Sequence, residues 1–145
     1  AAMTNSPCRL VVTLQLEVAQ RLCSKPGTKE YSKLTLLVGC RYIVGHMFKI
    51  SPHCFFPEPK VNSACLTLDR RTEPLFEDSL YKPFTTVVKR AFSQRRKMMR
   101  KNLRGGWPDE VVDMAMTATG LAAKIRAEKV TLKQFVELTR KLHDA

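Results

Sequence analysis

The hydrophobic pattern of the sequence changes period after residue 71, and this change limits the possible fold more than any other feature. Before it, runs of β-branched and aliphatic residues predict three strands, at 9–17, 43–50 and 63–70. Helix-favouring segments lie between the first two strands, at 17–22 and 31–42. After it, apolar residues recur at helical spacing. The predicted division is an α/β part over residues 1–71, a linker over 72–79 and an all-helical part over 80–145.

The helical part opens with the strongest periodicity in the sequence. Apolar residues over 84–103 predict one long amphipathic helix, which Gly105–Gly106 would end. Pro108 precedes two acidic residues and predicts the start of another helix that Gly120 ends. Thr131 is an expected N-cap for the last helix.

The charge balance points to a polyanionic partner. The 145 residues carry 25 Lys and Arg against 13 Asp and Glu, a net charge of +12, although 44% of the residues are hydrophobic, as in a globular protein. The longest mostly apolar stretch, 34–40, is too short to span a bilayer, so no membrane partner is predicted. Five cysteines without a C-x-x-C pair, and no secretory signal layout, predict reduced thiols and a cytoplasmic location.

Most of the excess charge falls on the predicted long helix, where no acidic residue occurs between Lys82 and Arg104. One face would carry seven cations: Lys89, Arg90, Arg96, Lys97, Arg100, Lys101 and Arg104. A solvated helix face usually alternates such cations with Glu, so nucleic-acid phosphates are the favoured partner. Arg95 falls near the apolar stripe, and it either packs within the protein or faces RNA.

Two aromatic residues and two prolines lie close together in the connection between the second and third strands, FFPEPKVNSA at 55–64. Prolines fix the backbone and reduce the entropy cost of presenting a ring, which suits stacking on a nucleobase. Aromatic residues beside prolines also serve as core plugs, and the sequence alone leaves both alternatives open.

Other site chemistries have no support in the pattern. His46, His53 and His143 have no partner at zinc-ligand spacing, so no metal site is predicted. The sequence also lacks a G-x-S-x-G motif, a P-loop and a G-x-G turn.

Four segments together resemble the KsgA-type rRNA adenine dimethyltransferases. They are the Gln-x-Glu-Val-x-x-Arg-Leu and Pro-Gly-x-x-x-Tyr-x-x-Leu patterns in 15–35, Phe-x-Pro-x-Pro-Lys-Val-x-Ser in 55–64, Phe-x-Gln-Arg-Arg-Lys in 92–103 and Arg-x-Glu-x-x-Thr-x-x-x-Phe in 126–135. They occur in the family's order. The glycine-rich turn that binds S-adenosylmethionine in the family and its Asn-Leu-Pro-Tyr loop are not present in this sequence.

The resemblance implies the α/β C-terminal part of a class I (Rossmann-like) methyltransferase sheet, followed by an all-α helical domain. The intact enzyme would use S-adenosylmethionine, whereas this chain would bind no cofactor and would be inactive alone. The family's base-stacking role falls on Phe55, with Pro57, Pro59 and Ser63 shaping the loop. Phe56 falls at a variable position, and no base contact is assigned to it.

The implied partner is small-subunit rRNA within the pre-ribosomal small subunit, bound by Arg95 and the seven cations named above. A homodimer through the exposed edge of the first strand, at 10–16, is also expected. Two alternatives remain open: a non-catalytic RNA-binding or ribosome-assembly module, and a mitochondrial transcription factor related to this family, which would bind DNA and polymerase.

Overall fold

The three predicted strands form one antiparallel sheet, in the order β1-β3-β2. A computed structural model describes residues 7–144. The elements are β1 (Arg9–Gln15), α1 (Leu16–Cys23), α2 (Lys33–Gly39), β2 (Tyr42–Ile50), β3 (Ser63–Arg70), α3 (Tyr81–Ala91), α4 (Met99–Leu103), α5 (Asp109–Ala118) and α6 (Leu132–His143). The predicted strands and the two early helices are confirmed, with ends shifted by a few residues.

Alternation of side chains along the strands explains how the sheet packs. In β3, every second residue is buried (Ala64, Leu66 and Leu68), and these side chains pack with Ala19 and Leu22 of α1. Their neighbours in β3 point to the opposite face. That face has no helix over it within residues 7–144, and Val11 and Phe48 are more than half exposed there.

β1 lies at one edge of the sheet, as expected from the sequence. It pairs with β3 over seven residues, and on its other side it has no partner strand within the described part of the chain. The homodimer through this edge stays a prediction.

A second core joins the helical part to the first part. Phe84 of α3 and Phe135 of α6 are fully buried in it, and Leu36 of α2 and Cys40, the residue after α2, are buried in the same core. The buried hydroxyl of Tyr31 donates a hydrogen bond of 2.8 Å to the carbonyl of Val130. The domain boundaries predicted from the sequence stay a prediction, while α2 clearly contributes to both cores.

The single helix predicted over 84–103 is wrong. α3 ends at Ala91, and the chain turns through 92–98 before α4 begins at Met99. The buried side-chain amide of Asn102 donates to the carbonyls of Ala91 (2.8 Å) and Gln94 (3.1 Å), which stabilises the break. The apolar periodicity continues because Met99 and α4 return to the same core.

The later helix ends largely follow the sequence. Gly120 has a φ of +69°, and it ends α5 with hydrogen bonds from Gly120 to Thr117 and from Leu121 to Met116. Thr131 and Gln134 form a capping box at the start of α6. Gly105–Gly106 differ from expectation, because neither has a positive φ. No helix in residues 7–144 is both long and apolar enough to cross a membrane.

Candidate nucleic-acid interface

The proline-containing loop over 51–62 lies where β1 and β2 end. Ser63, the first residue of β3, is opposite Gln15 on one side and Ile50 on the other. The amide of Leu16 donates to the carbonyl of Asn62 at 2.9 Å, which fastens the loop to the start of α1. The loop therefore lies at the carboxyl ends of β1 and β2 and at the amino end of β3.

Short-range contacts hold the first half of this loop. Pro52–Cys54 form a 3₁₀ turn that begins at Ser51, and the amide of Phe55 donates to the carbonyl of Pro52 at 3.1 Å. The imidazole Nδ1 of His53 lies 3.0 Å from the Glu58 carboxylate. The peptide bond between Phe56 and Pro57 is cis. The loop is therefore held at its ends and across its middle.

The loop presents aromatic surface to solvent. Phe55 is 38% exposed and Phe56 is 101% exposed. Pro57 is exposed, whereas Pro59 and Ser63 are half-buried at the base of the loop. Neither ring belongs to either core of residues 7–144, so neither is a core plug within this part of the protein. The structure leaves both aromatic side chains accessible to a planar partner.

The eight predicted RNA-binding cations do not share one helix face. Because the helix is broken, they divide among the end of α3, the turn and α4 with its C-cap: Lys89 and Arg90 on α3, Arg95, Arg96 and Lys97 in the turn, and Arg100, Lys101 and Arg104 at α4. The prediction of a single basic face is therefore wrong, although all eight lie within sixteen residues of sequence.

Acidic residues from a neighbouring helix neutralise part of this cluster. Arg100 forms a two-point ion pair with Asp113 of α5. Arg104 lies 3.4 Å from Asp113 and 3.3 Å from Asp109. The hydrogen bonds from Arg100, and then the nearby Arg charges, hold the pKa of Asp113 below its usual range. The basic segment contains no acidic residue in the sequence, but in the folded protein the aspartates of α5 neutralise part of its positive charge.

Arg95 makes contacts within the protein, although its side chain is still 48% exposed, and its role in RNA binding stays a prediction. Its guanidinium donates to the carbonyls of Lys29 and Tyr31, the latter at 3.2 Å. Its Nε also lies 3.7 Å from the Glu128 carboxylate. Arg95 therefore ties the turn after α3 to both the first part and the C-terminal part.

The other five cations are exposed: Lys89, Arg90, Arg96, Lys97 and Lys101. Within residues 7–144, none of them forms an ion pair. The guanidinium of Arg90 lies over Gly105–Gly106, where a Cβ on Gly105 would stand 2.7 Å from it. The lack of a side chain at Gly105 therefore permits the Arg90 guanidinium to lie close to the backbone, and it does not serve a left-handed turn. These five side chains are available to bind phosphates.

The acidic partners of these arginines could not be predicted from the sequence. Asp109, Asp113 and Glu128 lie beyond the basic segment in the sequence. Packing of α5 against α4 brings the two aspartates to arginines at α4, and Glu128 lies near Arg95 in the turn after α3. The role of Asn102 was not predicted either, because an asparagine within an apolar pattern is typical of a surface residue. Among the described residues, no group of three or more His, Cys, Asp or Glu side chains is arranged so that it could hold a metal ion.

Comparison with solved structures defines the class of fold. The structure of a dimethyladenosine transferase from Plasmodium falciparum matches 90% of this chain and 55% of its own, with a TM-score of 0.71 and 18% identity. The 23S rRNA methyltransferase ErmE matches 93% of this chain and 55% of its own, with a TM-score of 0.63 and 25% identity. The protein therefore has the mixed α/β fold found in part of these transferases.

Sequence comparison then identifies the family. A family model described as ribosomal RNA adenine dimethylase matches residues 4–144. Proteins named ribosomal RNA small subunit methyltransferase A are similar: 37% identity to that of Nitrosospira multiformis, over 87% of this chain and 47% of the relative, and 38% to that of Chlamydia caviae, over 89% and 46%. The chain belongs to the ribosomal RNA adenine dimethylase family, which confirms the resemblance seen in the motifs. It spans about half the length of these curated relatives.

Proposed function

We propose that this chain is the rRNA-binding and target-base-presenting part of an S-adenosylmethionine-dependent rRNA adenine N6,N6-dimethyltransferase of class I. It would act in the cytoplasm on small-subunit rRNA during ribosome assembly. The observation that carries the proposal is the position of the proline-containing loop. It holds Phe55 partly exposed at the carboxyl ends of two strands, in a chain that belongs to this family.

The loop residues have separate parts in this function. A base removed from its stack must lie against an aromatic or apolar surface, and each such contact contributes about 1–3 kcal/mol. Phe55 would provide that surface for the target adenine. Pro57 and Pro59 limit the backbone freedom around it, and Ser63 fixes the loop to the sheet.

The cations act on the RNA backbone. Each phosphate neutralised by Lys or Arg releases condensed counterions, so binding weakens steeply with salt. The five exposed cations would supply most of this binding, and Arg95, Arg100 and Arg104 would contribute less because carboxylates and carbonyls already hold their guanidinium groups.

The described residues do not fit S-adenosylmethionine. β1 passes directly into α1 at Gln15 and Leu16, and none of the six glycines lies in a turn between a strand and the helix that follows it. We therefore derive no methyl-transfer step from this part of the protein, and we expect the 145-residue chain to show no methyltransferase activity alone.

RNA binding under charge reversal tests the proposal. Arg96→Glu and Lys97→Glu should together weaken binding to a small-subunit rRNA hairpin by about tenfold or more at about 0.15 M salt, and reduce the salt slope by about two. Lys133→Glu with Lys141→Glu, on α6, makes the same change in net charge and should weaken binding much less. Unchanged affinity in the first variant, or equal losses in both, would contradict the proposed interface.

A further inference from the structure

The most exposed large apolar side chain among the described residues is Phe56, next to the residue proposed to hold the target base. Its 101% exposure means that the ring makes almost no contact with residues 7–144. A phenylalanine ring presented to water gives up the stabilisation that burial of an apolar side chain contributes. An isolated exposed apolar residue alone needs no explanation, but its setting here is specific.

The setting is a loop that is held on both sides of the ring. Phe55 precedes it with an amide hydrogen bond to Pro52, and Pro57 follows it with a backbone whose φ is restricted. The 3.0 Å contact between the imidazole Nδ1 of His53 and the Glu58 carboxylate closes the segment across the ring. A side chain presented from a restrained backbone loses little conformational entropy on binding.

The two neighbouring rings differ in exposure, and this difference separates their roles. Phe55 is partly covered by the protein and can hold one face of a base against the loop, whereas Phe56 offers both ring faces to solvent. When a nucleotide leaves a stack, the bases that flanked it lose a stacking partner, and an aromatic side chain can replace it.

We propose that Phe56 is a second base-contacting residue, which stacks on the nucleotide adjacent to the one held by Phe55. This inference rests on the proposed function and extends it: the ligand is an RNA segment with an unpaired base beside a second accessible base, rather than a fully paired duplex. The net charge of +12 favours a polyanionic RNA over an apolar protein surface as the partner of this ring.

The experiment measures binding of the 145-residue chain to an RNA hairpin with two adjacent unpaired purines, one of them 2-aminopurine. Phe56→Ala should weaken binding about tenfold without changing the salt slope, because stacking releases no counterions. It should also reduce the change in 2-aminopurine fluorescence on binding. Phe56→Trp should restore both quantities, because its ring can also stack.

Two controls make the result specific. Val61→Ala removes a half-exposed apolar side chain of the same loop and should change affinity less than about twofold. Lys97→Ala should weaken binding and reduce the salt slope by about one. Circular dichroism should show that Phe56→Ala keeps the fold, since the ring packs on nothing.

The outcomes separate this inference from the proposed function. If the wild-type chain binds the hairpin with the expected salt slope but Phe56→Ala binds equally well, the role of Phe56 is wrong and the proposed function stands. If Val61→Ala loses as much affinity as Phe56→Ala, the loss reflects the loop rather than the ring, and the inference is also wrong. If the wild-type chain fails to bind, the proposed function itself is contradicted.

Discussion

Arg100 of α4 binds both carboxylate oxygens of Asp113 in α5. The pair joins a residue of the basic segment to one thirteen positions later, and Arg104 approaches the same carboxylate at 3.4 Å. Both side chains of the pair are about one-third exposed. One acidic residue therefore positions α4 against α5 and also reduces the positive potential of the candidate RNA surface.

Asp113→Asn should make the protein less stable and its RNA binding tighter. The variant lacks the carboxylate that orders two guanidinium groups, so its melting temperature should fall, while affinity for the rRNA hairpin should rise a few-fold as Arg100 and Arg104 become available. Asp109→Asn is the matched control, since Asp109 is 63% exposed and its one ion pair among the described residues is with Arg104. An RNA affinity that falls in Asp113→Asn would contradict this view of the pair.

The same pair predicts a dependence of stability on acid. The pKa of Asp113 is lowered from 3.8 in the folded state, so its contribution to stability is present above pH 3.8 and is lost as pH falls through the lowered value. Asp113→Asn should flatten the unfolding free energy over that window. If the unfolding free energy of the wild type and of the variant fell equally with decreasing pH, the pair would not contribute to stability.

Asn102→Ala should destabilise the protein by about 2–3 kcal/mol, because it removes two buried hydrogen bonds and leaves the carbonyls of Ala91 and Gln94 without their donor. Asn102→Asp is the sharper control: it places a carboxylate against two carbonyl oxygens and should cost more than the alanine change. Urea unfolding measures both. A wild-type unfolding free energy in Asn102→Ala would mean that the break between α3 and α4 does not depend on this side chain.

Cys40 should resist alkylation in the folded protein, while the exposed Cys8 and Cys54 react. The Cys40 thiol is buried and donates to the carbonyl of Leu37, and burial raises its pKa to about 11. In the unfolded chain this thiol ionises near pH 9.0, before it ionises in the folded protein. The unfolding free energy present below pH 9.0 should therefore decline as pH rises towards about 11.

The variant Cys40→Ala should remove that part of the alkaline decline, with urea unfolding at several pH values as the measurement. Burial also raises the pKa of Tyr31, so some decline at higher pH should remain in the variant. Rapid labelling of Cys40 in the native protein would contradict the buried position.

Much of the fold could be predicted, because strands and helix ends depend on nearby residues. Alternation in 63–70 predicted β3, and Thr131 and Gly120 predicted helix ends that the structure confirms. The prediction of one helix over 84–103 was wrong because periodicity indicates only which residues face a core. Two short helices separated by a turn can satisfy the same pattern. The side chain of Asn102 stabilises that turn from the next element, which no local signal reveals.

The sequence by itself determined the family, the net charge, the proline-containing loop and the order of strands and helices, since each depends on residue identity or on spacings of a few positions. Tertiary structure alone decided which cations are free to bind phosphates, which of two adjacent phenylalanines is fully exposed, and how both parts of the chain share α2. The physical reason is that ion pairs and burial depend on atoms brought together in space. Arg100 meets Asp113 and Tyr31 meets Val130 only after the helices have packed.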